Sequence, residues 1–135
     1  QIHGLMGNQK RERAYYESAR DILTSKIREQ PKDPRFRSSL GIAYAGLGRK
    51  EDAIREGKLA VELLPLSKEA YGGTFRVESL ARIYVMVGDF DAAIDQLELL
   101  LSIPARMSIP LLRLDPAWDP LRDHPRFQRL LESNT

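Results

Sequence analysis

Two stretches of this chain carry the same residue types in the same order, 40 positions apart. Leu40, Gly41, Tyr44, Gly48 and Ala53 are answered by Leu80, Ala81, Tyr84, Gly88 and Ala93. A repeat of this kind narrows the possible folds sharply. Each unit is one supersecondary element that cannot bury its apolar face alone and must stack on its neighbour.

The spacing says which element. Leu40, Tyr44 and Leu47 recur at four and three, the period of one helix face. Gly41 lies on the same helix, where a missing side chain lets a neighbour approach closely. Gly48 suits a helix C-cap, because glycine enters the left-handed region without a Cβ penalty. A second helix starts near Lys50, with Glu51 and Asp52 at its positive end. Its apolar stripe is Ala53, Ile54, Gly57, Ala60, Val61 and Leu64, and Pro65 stops it. The second copy reads the same way. Leu80, Ile83, Tyr84 and Val87 precede Gly88; Ala93, Ile94, Leu97, Leu100 and Leu101 precede Pro104.

This pattern resembles the tetratricopeptide repeat, a 34-residue helix–turn–helix unit, with residues 34–67 as one repeat and 74–107 as another. The Trp that often opens that motif is replaced by Arg37 and Val77, and the usual aromatic of the second helix by Gly57 and Leu97. Residues 68–73 are an insertion that either lengthens the next helix or bulges, with Gly72-Gly73 favouring a break. Residues 1–33 read as a partial repeat, since Ala19, Leu23 and Pro31 stand 34 before Ala53, Gly57 and Pro65. A long helix is expected from about 9 to 30, with Gly7 the nearest turn candidate and an apolar face of Tyr15, Ala19, Ile22, Leu23 and Ile27. Its partner helix is expected to lie largely before residue 1, and its open side makes a homodimer through the N-terminal helix a further expectation.

The tail, 108–135, reads as two or three short helices that cap the stack. Asp115-Pro116 and Asp119-Pro120 suit helix starts, Trp118 serves as a plug, and a helix over 125–133 turns Phe127, Leu130 and Leu131 inward. The tail wording also resembles the ends of repeat arrays in bacterial multidomain proteins, C-terminal to kinase, cyclase-type, winged-helix or TolB-like modules. The expected fold is therefore all-α: a right-handed superhelix of helical hairpins, one domain over 1–135, with a C-terminal cap. The chain is expected to be a piece of a longer, cytoplasmic signalling protein.

Charge and composition narrow the chemistry. The 21 Lys+Arg and 19 Asp+Glu leave +2 overall. Residues 1–37 hold nine basic and five acidic groups, and 68–104 three and six, so acids follow bases closely. That is a solvated surface and not a nucleic-acid footprint. Arg11 and Arg13 lie on the one helix where such a footprint could hide. Cysteine is absent, which excludes disulfides, thiolate metal sites and a Cys nucleophile. No stretch approaches the ~20 apolar residues of a membrane span. No phosphate loop, HExxH, EF-hand or GxSxG occurs. His3 and His124 read as exposed or locally capping, Asp115 and Asp119 as helix caps, Tyr44 and Tyr84 as core residues, and Met86 and Met107 as gap fillers. No enzyme activity, metal or cofactor is expected.

The resemblance implies a groove lined by the first helix of each pair, which takes a peptide or partner segment. Placed opposite the Leu/Tyr stripe, its residues are Arg35, Ser38, Ile42 and Ala45 in the first full repeat and Phe75, Glu78, Arg82 and Val85 in the second. A clamp for acidic chaperone tails is not expected, since Ser38, Ser39 and Ile42 stand where Lys and Asn would be needed and Glu78 repels a carboxylate.

Overall fold

The computed structural model describes residues 2–63, 70–102, 112 and 115–133, with side chains described from residue 9 and, after the gap, from Arg76 to Glu132. All the regular structure among them is helical. In chain order the elements are α1 (Ile2–Glu29), α2 (Pro34–Gly46), α3 (Lys50–Leu63), α4 (Ala70–Met86), α5 (Phe90–Leu101), a 3-10 segment (Pro116–Leu121) and α6 (Pro125–Ser133).

The two glycine turns are built alike, bond for bond. Gly48 has φ 78° and Gly88 φ 84°. The N–H of Arg49 donates to the Tyr44 carbonyl (2.9 Å) and that of Gly48 to Ala45 (3.1 Å). Forty residues on, Asp89 donates to Tyr84 (2.8 Å) and Gly88 to Val85 (3.1 Å). This is the paired-bond helix ending that needs a left-handed residue. A Cβ at either glycine would touch nothing within 4 Å, so alanine there carries only the backbone penalty, about 1 kcal/mol.

Each turn folds one helix back on the next. In the first pair, Arg37 reaches Glu56, and Gly41 lies against the backbone of Ala53 and Gly57, so α2 and α3 run antiparallel and very close. The Cδ1 of Ile83 fills the space above Gly41 and Gly57, closing the layer between the two pairs. Helix α2 thus packs on α1, α3 and α4 together. Its start is set by Asp33, whose side chain accepts from the Arg35 N–H at 3.0 Å, with Pro34 in the first helical turn.

The largest core lies at the C-terminal end. Val77, Leu80, Ala81, Tyr84 and Val85 of α4 and Ala93, Ile94, Leu97 and Leu100 of α5 enclose Leu112, Trp118, Leu121, Phe127 and Leu130 of the tail. Trp118 and Phe127 are fully buried and Leu131 partly so. The tail therefore covers the last apolar face of the pair α4–α5. A second, smaller cluster joins Ala45, Ala53 and Ile83.

Several expectations are corrected. Helix α1 begins at Ile2, not near residue 9, and runs unbroken through Gly7. Helix α4 begins at Ala70 and passes through Gly72-Gly73, so over 70–73 the insertion lengthens the helix, one of the two alternatives, and the break favoured at the glycines does not occur. Two glycines lower helix propensity by about 2 kcal/mol together, an amount that docking on α2, α3 and α5 outweighs. Asp115 caps the 3-10 segment, accepting from the Ala117 N–H at 2.9 Å, but Asp119-Pro120 lies inside that segment and starts nothing. Met86 fills no gap; it is 41% exposed. The stops expected at Pro65 and Pro104, and Met107, lie outside the described residues.

Candidate functional site

Helices α1 and α2 leave a cleft between them of about 250 Å³. Tyr15, Tyr16, Ala19 and Leu23 form one wall, and Ser39, Ile42 and Ala43 the other. The walls are mostly apolar, and Tyr15, Tyr16 and Ser39 are the lining residues that carry hydroxyls. The Tyr15 and Tyr16 rings meet edge to face with centroids 5.5 Å apart. Tyr16 closes one end, because its ring rests where a Cβ on Gly46 would be. Beyond it lies a wider, shallower hollow of about 420 Å³ lined by Gln9, Lys10, Glu12, Arg13 and Gly46, with charges at its edge.

The repeat explains why this cleft is open. Ile83 lies 40 residues after Ala43, and its branched side chain fills the corresponding space against Gly41 and Gly57. At Ala43, itself only 2% exposed, the side chain stops at Cβ and lies at the floor of the cleft. Likewise Gly46, where the second unit has Met86, admits the Tyr16 ring.

The eight groove residues expected from the sequence divide unequally. Ile42 lines the cleft. Arg35 is exposed and folds back on its own cap, with Nη2 2.7 Å from Asp33 Oδ2. That hydrogen bond, more than the nearby charges, holds the Asp33 carboxyl below its ordinary value. Ser38, Ala45 and Val85 are buried, at 2%, 7% and 7% exposure, and cannot form a groove. The exposed face of α2 is Arg35, Ser39 and Gly46 with Ile42 half-buried, displaced by one residue from the expected face. The cause is that α2 has three helical neighbours and not one. Ala45 packs with Ile83 of α4, and its counterpart Val85 packs in the tail core. The Phe75 side chain lies outside the described residues.

Glu78 and Arg82 are brought together, but the chain's own tail occupies them. Arg82 Nη2 donates to Asp115 Oδ2 at 2.8 Å and lies 3.6 Å from Glu78 Oε1. Its guanidinium stands over the Trp118 ring, 5.2 Å from the centroid. The Ala117 N–H is the first cause that keeps the Asp115 carboxyl below its ordinary value, and the Arg82 bond and charge reinforce it. The surface of α4 that the sequence assigns to a partner is thus filled from within.

Little else offers chemistry. Among the described residues no group of three or more His, Asp or Glu could hold a metal ion. No helix there is long and apolar enough to cross a membrane. His124 caps α6, its Nδ1 accepting from the Arg126 N–H at 3.1 Å. Tyr84 is buried, and that burial raises its hydroxyl above the ordinary value, away from any nucleophilic role at neutral pH. Sequence reasoning missed the cleft as such. The signal lay in the repeat itself, in the mismatches Ala43 against Ile83 and Gly46 against Met86. No family model, no curated protein and no solved structure matches this chain.

Proposed function

We propose that this chain is a non-catalytic protein-interaction domain of the tetratricopeptide type, whose α1–α2 cleft receives a bulky apolar side chain from a peptide or partner segment. In this reading the stacked hairpins form a right-handed superhelix, and the domain serves within a larger bacterial signalling protein in the cytoplasm. The observation that carries the proposal is the cleft, open at a position that the next repeat fills with Ile83. Two facts support it. The two glycine turns share the same pattern of hydrogen bonds, as copies of one unit would. The cleft walls are mostly apolar and include three hydroxyl-bearing residues, Tyr15, Tyr16 and Ser39, a make-up suited to anchoring one side chain and orienting its backbone.

Ala43→Ile tests this with the protein's own alternative. The substitution copies the filled state of position 83 and closes the cleft. Peptides selected from a random library should share a bulky apolar anchor and bind at micromolar Kd. They should lose at least tenfold in affinity to Ala43→Ile, while that variant unfolds at the same urea concentration or a higher one. An absence of selected peptides, or peptides that bind both proteins equally, would overturn the proposal.

A further inference from the structure

Helix α1 turns one face to α2, and Tyr16, Arg20, Leu23 and Ile27 are half-buried there. Away from α2, Arg11, Ser18, Ile22, Ser25 and Glu29 are all exposed, Ile22 at 60%, and Tyr15, 70% exposed, stands between this face and the cleft. These six recur at intervals of four, three, four, three and four. That is the spacing of a two-helix coiled-coil seam, with Tyr15 and Ile22 as its apolar members. The repeat indicates what such a seam is for. Ile22 stands 34 before Glu56, and Glu56 faces α2, the first helix of its own pair. The outer face of α1 is therefore where an antiparallel companion helix belongs, and none of the described residues supplies one.

We infer that the companion is α1 of a second copy, packed antiparallel about a twofold axis near Arg20, so that each protomer completes the other's first hairpin. Size and charge single out this pairing. With residues opposite one another when their numbers sum to 40, Tyr15 lies over the partner's Ser25 and Ile22 over the partner's Ser18. Every apolar layer thus sets one large side chain against one small one. The end layers set Arg11 against Glu29, and the flanking Glu12 and Lys26 also meet with opposite sign. Arg11 and Glu29 have no ion-pair partner within the protomer among the described residues, whereas Arg13 and Arg20 are already paired with Glu17 and Asp21. Asp21 lies opposite the partner's Ala19, and its carboxylate is held by Arg20 at 3.1 Å. A parallel pair would put Arg11 on Arg11 and Glu29 on Glu29. The charges therefore favour the antiparallel arrangement. Tyr15 borders both this face and the cleft, but Ile22 does not line the cleft, so the variant Ile22→Glu separates this inference from the peptide reading.

Sedimentation equilibrium of the full chain from about 5 to 500 µM tests it. A monomer–dimer equilibrium is expected, weakened at least tenfold by Ile22→Glu, with the helical circular dichroism unchanged because Ile22 is exposed. Arg11→Glu and Glu29→Arg should each weaken it, and the two together should restore it. The chain has no cysteine, so Lys10→Cys gives one spin-label site. In the antiparallel dimer the two labels lie roughly 30 Å apart along the axis, twenty residues of helical rise. A single monomer mass throughout, a dimer indifferent to Ile22→Glu, or labels about 10–15 Å apart would overturn the inference.

Discussion

Glu56 shows how much one residue's position on a helix decides. Its neighbours Glu51, Arg55 and Lys58 are exposed, and the sequence around it reads as a solvated face. Yet Glu56 is only 4% exposed, and Arg37 Nη1 donates to its Oε1 at 2.8 Å. The reason is angular: 53, 56, 57 and 60 form the stripe of α3 that meets α2, and Ala53, Gly57 and Ala60 clear space for the longer side chain. Arg37, where the tetratricopeptide motif often has Trp, is its partner in α2. Removing one member of a buried ion pair strands the other, at a cost of about 3 kcal/mol, while replacing both with apolar residues of similar volume is close to neutral. Glu56→Ala should therefore lower the urea-unfolding free energy by about 3 kcal/mol, and Arg37→Met with Glu56→Leu by under about 1 kcal/mol. If the double variant is as unstable as the single one, the pair is not what holds α2 to α3.

At the scale of elements, local signals were readable where one residue fixes one backbone state. Gly48 and Gly88 each end a helix because the left-handed region is required there, and Asp115-Pro116 starts the 3-10 segment because cap and proline agree. Signals failed where tertiary packing overrides propensity, as at Gly72-Gly73 inside α4. Which face of α2 stays open was unreadable for a different reason. One helix shows its periodicity, but not how many neighbours will divide its circumference. The tail had the same problem: its Trp118 could be read as a plug, but not that Asp115 would take Arg82 out of the groove. That latch has a pH signature. The folded-state Asp115 carboxyl titrates below its ordinary value, so the linked stability is present above about pH 4 and is lost as pH falls through the depressed folded value. Trp118 is the chain's only tryptophan and lies under Arg82, so its emission reports this element. Acidification below about pH 4 should shift that emission to the red, and Asp115→Asn should flatten the acid response while keeping the cap. Identical acid profiles for the two proteins would remove Asp115 from the latch.

Across the whole molecule the described cores are unequal, and the inequality runs along the chain. The cluster that joins α4, α5 and the tail buries Ile94, Leu97, Leu100, Leu112, Trp118, Leu121 and Phe127 completely. On the outside, Arg126 of α6 spans Asp91, Asp95 and Glu98 on successive turns of α5, 3.1 Å from Glu98 Oε1. The described contact at the other end is thinner. Helix α1 reaches the stack chiefly through α2, its inward residues are half-buried, and the cleft beside Ala43 leaves part of the contact unmade. In a stack whose units touch only their neighbours, stability is a sum of unit and interface terms, and the weakest interface opens first. Each large apolar side chain fully buried adds about 1.5–3 kcal/mol. The seven at the tail end against none fully buried on the described part of α1 set a gradient of several kcal/mol. Amide hydrogen exchange in the dilute monomer should therefore show α1 exchanging through local openings, with free energies at least about 2 kcal/mol below those of α4 and α5. Ala43→Ile should narrow the gap by filling the cleft, and Asp115→Asn should lower the α4–α5 values without moving those of α1. Uniform protection from α1 to α6 would mean that the chain opens as one cooperative block, and that the pairwise sum of units does not describe it.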